Sequence, residues 1–389
     1  MRITARSFSR YRSGACLLFS LIVMLSAGLA VFALGEVDGP DTLPLLPEQR
    51  HIGSMFYGWG APPPPVIQPR IDEATAAGMN AFTVYLDWPQ LEPHPGNYDL
   101  TELRDTLSWA TANRLSTFAN ITVVDIEMLV LPPEFMAEDN STEFAPEYSF
   151  TSPQLIDRFL NMLDEVVPFM VENGVFYLGV GNEVDGWLTE NPNQLEDYLT
   201  FIETVRTHVR TLEPDLAVGV TVTGNVPLFN PGYLQNFYPV ADIVSSNIYG
   251  IDITDFTATD YESTAELLEN FIAAFDGRPI VIPELGCNSA ASMQSDLMTQ
   301  RECFSALFDV LATHPNVRFV TVFTFHDFEA PVCEAIQAAF GYDADAEFES
   351  IFDERVADYL CSLGVVNADG SPKPAFEAFL DGVQRLTAP

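Results

Sequence analysis

Short, continuous apolar runs recur along the chain, separated by segments whose apolar residues repeat with a helical period. His51–Gly58, Ala81–Asp87, Leu115–Val124, Val175–Gly181, Leu216–Val222, Ala241–Ile248, Pro279–Pro283 and Val317–Phe325 read as strands. Between them, Gln68–Gly78, Leu100–Asn113, Gln194–Leu212, Thr264–Phe275 and Ser295–Leu311 read as helices. More helical material is expected near Ile351–Leu363 and Pro374–Leu386. A further helix is predicted to start at Ser152-Pro153, an N-cap residue followed by proline at the first turn. Leu155, Ile156, Phe159, Leu160 and Leu163 give it one apolar stripe. Long loops are expected around Pro132, Pro133 and Pro146, and again around Cys333.

Strands that are apolar throughout, rather than at every second position, belong to parallel sheets covered on both faces. Eight strand–helix units over about 340 residues fit a closed (β/α)8 TIM barrel or a doubly wound sheet. No glycine-rich phosphate loop follows the first strand, which favours the barrel, an α/β fold with residues 50–389 as a single domain. Active sites of such barrels lie at the C-terminal ends of the strands. Two strands end there in carboxylates, Leu178-Gly-Val-Gly-Asn182-Glu183 and Ile280-Val-Ile-Pro-Glu284-Leu-Gly286. Glycosidic bond cleavage needs two carboxyl groups flanking one bond, one to protonate the leaving oxygen and one to attack the sugar or activate water. Two like charges in proximity keep one of the pair protonated near neutral pH. Asn182 beside Glu183 fits a donor to a sugar hydroxyl. Successive strand residues face opposite ways, so both can point inward only where the ladder ends or bulges.

Charge narrows the partners. Seventeen Lys and Arg stand against 55 Asp and Glu, and Lys373 is the only lysine. Such a surface repels phosphates and acidic glycans, so no nucleic acid is expected as a partner. Five histidines, none at i, i+4 spacing with another, offer no metal motif. No metal or other cofactor is therefore expected. No Gly-x-Ser-x-Gly elbow occurs, which counts against an α/β-hydrolase. Asp125 and Glu127, just beyond the third strand, read either as substrate-loop acids or as solvated loop charges.

The N-terminus reads as a targeting segment. Arg2, Arg6, Arg10 and Arg12 precede an uncharged run over residues 15–34, so residues 1–35 are expected to be a signal peptide or a retained membrane anchor. The proline-rich stretch 36–49 reads as a linker. Either reading of the leader exports the remainder, which would be secreted or anchored at the outer face of the membrane. Four cysteines follow the leader, Cys287, Cys303, Cys333 and Cys361. An even number in an exported chain points to disulfides. Sequence order favours Cys287–Cys303 with Cys333–Cys361, although three connectivities are possible and free buried thiols are the alternative.

The two carboxylate tips resemble the motifs of the clan A retaining glycoside hydrolases, which carry an Asn-Glu acid/base ending strand 4 and a nucleophilic Glu ending strand 7. The segment 78–88 with 91–99 is similar to that clan's strand 2 region, Ser246-Asn-Ile-Tyr249 to its strand 6 motif, and Asp369-Gly-Ser-Pro-Lys-Pro-Ala375 to the segment before its last helix. The resemblance runs over residues 51–386. It implies Glu183 as acid/base, Glu284 as nucleophile, Asn182 as a sugar-hydroxyl contact and Tyr249 as the partner of Glu284. It implies hydrolysis of β-linked neutral oligo- or polysaccharides with retention, which needs carboxyl groups about 5–5.5 Å apart. Trp59 and Trp187, ending strands on that face, are candidates to stack on sugar rings. Phe323, Phe325 and His326 stand near the position where many members carry a strand 8 tryptophan, and the strand Phe82–Asp87 lacks the arginine many members have. Loops Leu131–Ser149 and Gly286–Gln294 would wall the cleft. The two departures leave a second reading, a non-catalytic carbohydrate-binding barrel at the cell surface.

Overall fold

The computed structural model describes residues 49–56, 63–137, 142–339 and 349–388. The leader 1–35, nearly all of the linker 36–49, and Trp59 lie outside the described residues. Eight parallel strands form one sheet: β1 (His51–Ser54), β2 (Ala81–Asp87), β3 (Ser116–Asp125), β4 (Val175–Asn182), β5 (Ala217–Val222), β6 (Ile243–Ser246), β7 (Ile280–Gly286) and β8 (Val317–Val322). The order runs β6–β5–β4–β3–β2–β1–β8–β7. β7 then pairs with Ile248–Tyr249, the continuation of β6 beyond Asn247. The two halves of the sixth strand therefore meet one neighbour each and together close the ring. Helices α1 (Gln68–Ala77), α2 (Thr101–Ala112), α3 (Pro153–Glu172), α4 (Leu195–Leu212), α5 (Asn225–Phe229), α6 (Tyr261–Ala273), α7 (Leu297–Thr313) and α8 (Pro374–Thr387) follow the strands. The chain is a (β/α)8 barrel, as the alternation predicts.

The inside of the barrel is layered by the two-residue period of its strands. At the bottom lie Ala81, Phe118, Tyr177, Ala217, Ile243, Val281 and Phe319. One step up the layer turns polar: Thr83 meets Thr321 at 2.7 Å and Thr221 meets Ser245 at 2.8 Å. The Asn120 amide in that layer donates to the carbonyl of Gly181 at 2.9 Å. Gly179 and Gly219 make room for these side chains. A Cβ on Gly219 would lie 2.2 Å from the Tyr177 hydroxyl, and one on Gly179 2.6 Å from the Asn120 amide nitrogen. The next step up is the mouth, where the candidate site lies. The larger core fills the space between strands and helices, with Phe159, Leu163, Phe201, Phe304 and Phe379 among its members.

Several boundaries differ from the sequence reading for local reasons. β1 stops at Ser54 and β8 at Val322, short of the apolar runs that contain them. α6 and α7 are capped by Asp260 and Asp296, whose carboxylates accept the first free N–H groups of each helix. Ser152 occupies the N-cap of α3, but its hydroxyl accepts from the Ser149 N–H at 2.8 Å instead of from the helix. The stretch around Cys333, expected to be a loop, is helical over Ala330–Ala339. It pairs with the helix Glu349–Cys361 through the Cys333–Cys361 disulfide. Cys287 pairs with Cys303, so both favoured connectivities are present. Among the described residues no helix is long and apolar enough to cross a membrane.

Candidate active site

Two backbone irregularities bring the carboxylates inward. Along β7 the register against β8 shifts between Ile282 and Leu285. The extra residue lets Ile282 and Leu285 both face the outer core while Glu284 turns into the mouth. Along β4, Gly181 has φ +95° and Glu183 has φ +48°, ψ +42°, a left-handed position that a non-glycine residue adopts only under constraint. The constraint comes from both sides. Gly181 has no room for a Cβ, which would lie 2.7 Å from Val184 and 2.8 Å from the Tyr198 hydroxyl. Asp185 accepts from both the N–H and the hydroxyl of Thr223 at 2.7 Å, pinning the tip to the end of β5. With the strand broken there, Asn182 and Glu183 no longer face opposite ways.

The polar groups then form a hydrogen-bonded chain around Glu183 and a separate pair at Glu284. Asn247, in the gap that splits the sixth strand, donates to Glu183 Oε1 at 3.0 Å and to Asn182 Oδ1 at 3.2 Å. The Asn182 amide donates in turn to Asp125 Oδ1 at 3.1 Å. The Tyr249 hydroxyl donates to Glu284 Oε2. Tyr85, the next inward residue of β2 above Thr83, brings a second hydroxyl to Glu284, outside good hydrogen-bond geometry.

Burial raises the pKa of both glutamates, but unequally. Glu183 is pushed well above the ordinary carboxylate range, first by burial and then by the charge of Glu284. Glu284 is raised to about 7 by burial, held back by the Tyr249 and Tyr85 hydroxyls that favour its anion. The hydroxyls around Glu284 thus favour its anion, while burial and the charge of Glu284 favour the protonated form of Glu183. Asp125 is also raised by burial, and its bond from Asn182 opposes the rise. No cation lies among the described residues that act on either glutamate.

These shifts predict a stability effect. A carboxyl that holds its proton more tightly folded than unfolded opposes folding as pH rises through its unfolded value, here near 4.5. Glu284→Gln should therefore stabilise the protein at pH 7 by roughly 1–3 kcal/mol, and by nothing below about pH 4. Urea melts of both proteins at the two pH values measure it. An equal increment at both would contradict the assignment.

The structure brings Glu183, Glu284, Asn182 and Tyr249 together, and leaves other candidates outside. Trp187 is 1% exposed: its indole donates to the Thr142 carbonyl at 2.7 Å and its ring packs on Phe144 and Phe150. It is core, not a platform for sugar. Phe325 faces outward, among Phe56, Phe376 and Phe379. His326 is fully buried, with Nδ1 against the Asp327 carbonyl at 2.8 Å. Just past the end of β8 the aromatic residue at the mouth is Phe323, two residues beyond Thr321, packed edge-on to Tyr249. Asn247 was missed by sequence reasoning, while Asp125, read as either a substrate-loop acid or a solvated loop charge, is half-buried against Asn182. The strand 6 motif contained Asn247 and was the available signal. Asn120-Ile-Thr122, a formal glycosylation site, lies inside the barrel with Asn120 fully buried. Among the described residues no group of three or more His, Cys, Asp or Glu is placed to hold a metal.

No protein-family model matches the sequence, and no curated protein matches it. Solved structures do match by shape. An exo-β-1,4-mannosidase from Opitutaceae bacterium strain TAV5 superimposes with a TM-score of 0.61 at 17% identity, over 87% of this chain and 60% of that one. A GH5_18 protein from Bifidobacterium longum subsp. longum ATCC 55813, in complex with Manβ1-4GlcNAc, gives 0.60 at 14% identity, over 86% and 78%. A family 39 glycoside hydrolase from Bacteroides cellulosilyticus WH2 gives 0.56 at 16% identity, over 90% and 66%. The chain spans less than two thirds of the length of the mannosidase. The likeness establishes the fold, a (β/α)8 barrel.

Proposed function

We propose that the protein is an exported retaining glycoside hydrolase that cleaves a β-linked neutral glycan. One observation carries the proposal: two glutamates at the ends of β4 and β7, Glu284 buried and Glu183 half-buried, face one barrel mouth, where Tyr249 donates to Glu284 and Asn247 to Glu183. Glu284, supported by Tyr249, is the anion that attacks the anomeric carbon. Glu183 donates its proton to the glycosidic oxygen, and the aglycone leaves as an alcohol. Glu183, now a carboxylate, takes a proton from water as that water displaces Glu284 from the sugar. Two inversions return the original configuration. Asn182 is held by Asn247 and Asp125 with one amide N–H to spare for a sugar hydroxyl. A site with three carboxylates and no described cation disfavours uronic acids. The likeness to an exo-β-1,4-mannosidase and to a GH5_18 protein in complex with Manβ1-4GlcNAc makes a β-mannoside the first substrate to try. The two disulfides suit an exported protein, with residues 1–35 as signal peptide or anchor.

The test is the anomer released first from an aryl β-glycoside, followed by proton NMR before mutarotation. The β-anomer is expected. Release of the α-anomer overturns the mechanism. No turnover of gluco-, manno- or galactosides, with binding of the same sugars intact, favours the carbohydrate-binding reading instead.

A further inference from the structure

The segment joining β8 to α8 adds helices that the eightfold repeat does not require. The second of them, Glu349–Cys361, docks across the C-terminal mouth of the barrel. Arg355 donates to the carbonyl of Asp255 at 3.1 Å, and Ser292 donates to Asp358 at 2.7 Å. Cys361, at its end, is tied to Cys333. The helix is thereby fixed to the loops that follow the sixth and seventh strands, the two strands that carry Tyr249 and Glu284.

From this helix Tyr359 reaches the surroundings of the catalytic pair. Its ring packs edge-on against Tyr249, centroids 5.7 Å apart, and tilted against Phe256 at the same separation. Tyr359 is 7% exposed, and its hydroxyl has no hydrogen-bond partner. The charges of both Glu284 and Glu183 act on that hydroxyl. A second buried atom without a partner, Asn247 Oδ1, belongs to the residue that bridges Asn182 and Glu183. Leaving a buried hydroxyl unpaired is costly, and such groups in a folded protein call for an explanation. Beside two carboxylates at the mouth of a barrel, a sugar hydroxyl supplies one.

We propose that Tyr359 is a specificity-determining residue, whose hydroxyl donates to a ring hydroxyl of a neutral sugar held between Glu183 and Glu284. The inference rests on the glycosidase reading and adds a contact from outside the eightfold repeat. Tyr359→Phe keeps the ring and its packing and removes only the donor. On the parent aryl β-glycoside, kcat/KM is expected to fall roughly three- to tenfold, with thermal stability unchanged or raised. Wild type should lose a similar factor on one monodeoxy analogue of that glycoside, and the variant should lose nothing further on it. A loss that is equal on every analogue, or no loss at all, overturns the assignment. Equilibrium binding of the corresponding methyl β-glycosides to Glu183→Ala and to Glu183→Ala/Tyr359→Phe repeats the comparison without turnover. Weaker binding by the double variant supports Tyr359 as a contact even where wild type hydrolyses nothing. Equal binding overturns the contact alone. No binding by either protein overturns both the contact and the glycosidase reading.

Discussion

Glu284→Ala is expected to lower kcat by about 10⁵-fold or more, the scale on which removing a covalent nucleophile acts when its partners remain. Glu183→Ala should cost about 10²–10⁴-fold, the usual worth of a general acid, and less on substrates whose leaving group needs no proton. The two losses should respond differently to azide. In Glu284→Ala the vacated space admits azide on the face the carboxylate occupied, and Glu183 still protonates the leaving group, so an α-glycosyl azide forms. In Glu183→Ala the glycosyl-enzyme still forms on Glu284, and azide opens it from the opposite face to give the β-glycosyl azide. The Tyr249 bond to Glu284 and the Asn247 bond to Glu183 fix which carboxylate stands on which side. One anomer from both variants, or activity retained in Glu284→Ala, would contradict the assignment of roles.

The carboxylate pair could be read from the chain because each glutamate ends an apolar run, and parallel barrels put all such ends on one face. The bends that aim the two side chains could not be read. The register shift in β7 spans Pro283, a residue that a central strand tolerates only at a bulge or an end; the chain alone does not choose between the two, and only pairing with β8 shows the extra residue. The gap at Asn247 looks like the interior of one strand, since Ile243–Ser246 and Ile248–Tyr249 are equally apolar. Aromatic roles failed for a related reason. Whether Trp187 meets sugar or core depends on the segment bearing Thr142, Phe144 and Phe150 folding back over it, a contact more than thirty residues away in sequence. Phe323 and Phe325 differ by two positions, which an uninterrupted strand would place on one face. The strand ends at Val322, and Phe325 turns outward. Tyr359 sits in a stretch correctly expected to be helical, but nothing in its periodicity tells which loops the helix covers.

Lys373→Met is expected to destabilise the protein by about 3 kcal/mol, a large effect for one side chain of similar length. The lone lysine among 55 acidic residues is only 4% exposed. Its ammonium donates to Asp327 at 2.7 Å, to the Ser289 hydroxyl at 3.2 Å and to the Ser362 carbonyl at 3.3 Å. Those three acceptors belong to the chain beyond β8, the chain beyond β7, and the residue following the helix that carries Tyr359. One cation therefore joins three of the segments around the mouth. Burial pulls the pKa of Lys373 down and pushes that of Asp327 up, while the pairing moves each back toward its charged form. Methionine fills most of the volume but leaves the Asp327 carboxylate without its cation, keeping only the Gly364 N–H at 2.9 Å. The cost should then lie chiefly in the stranded carboxylate and not in the lost attraction. Lys373→Met/Asp327→Asn tests this by urea denaturation. Recovery of most of the lost stability is expected, because the double variant buries no unpaired charge. A double variant no more stable than Lys373→Met would mean that Lys373 acts through Ser289 and Ser362, holding the segments together by its hydrogen bonds alone.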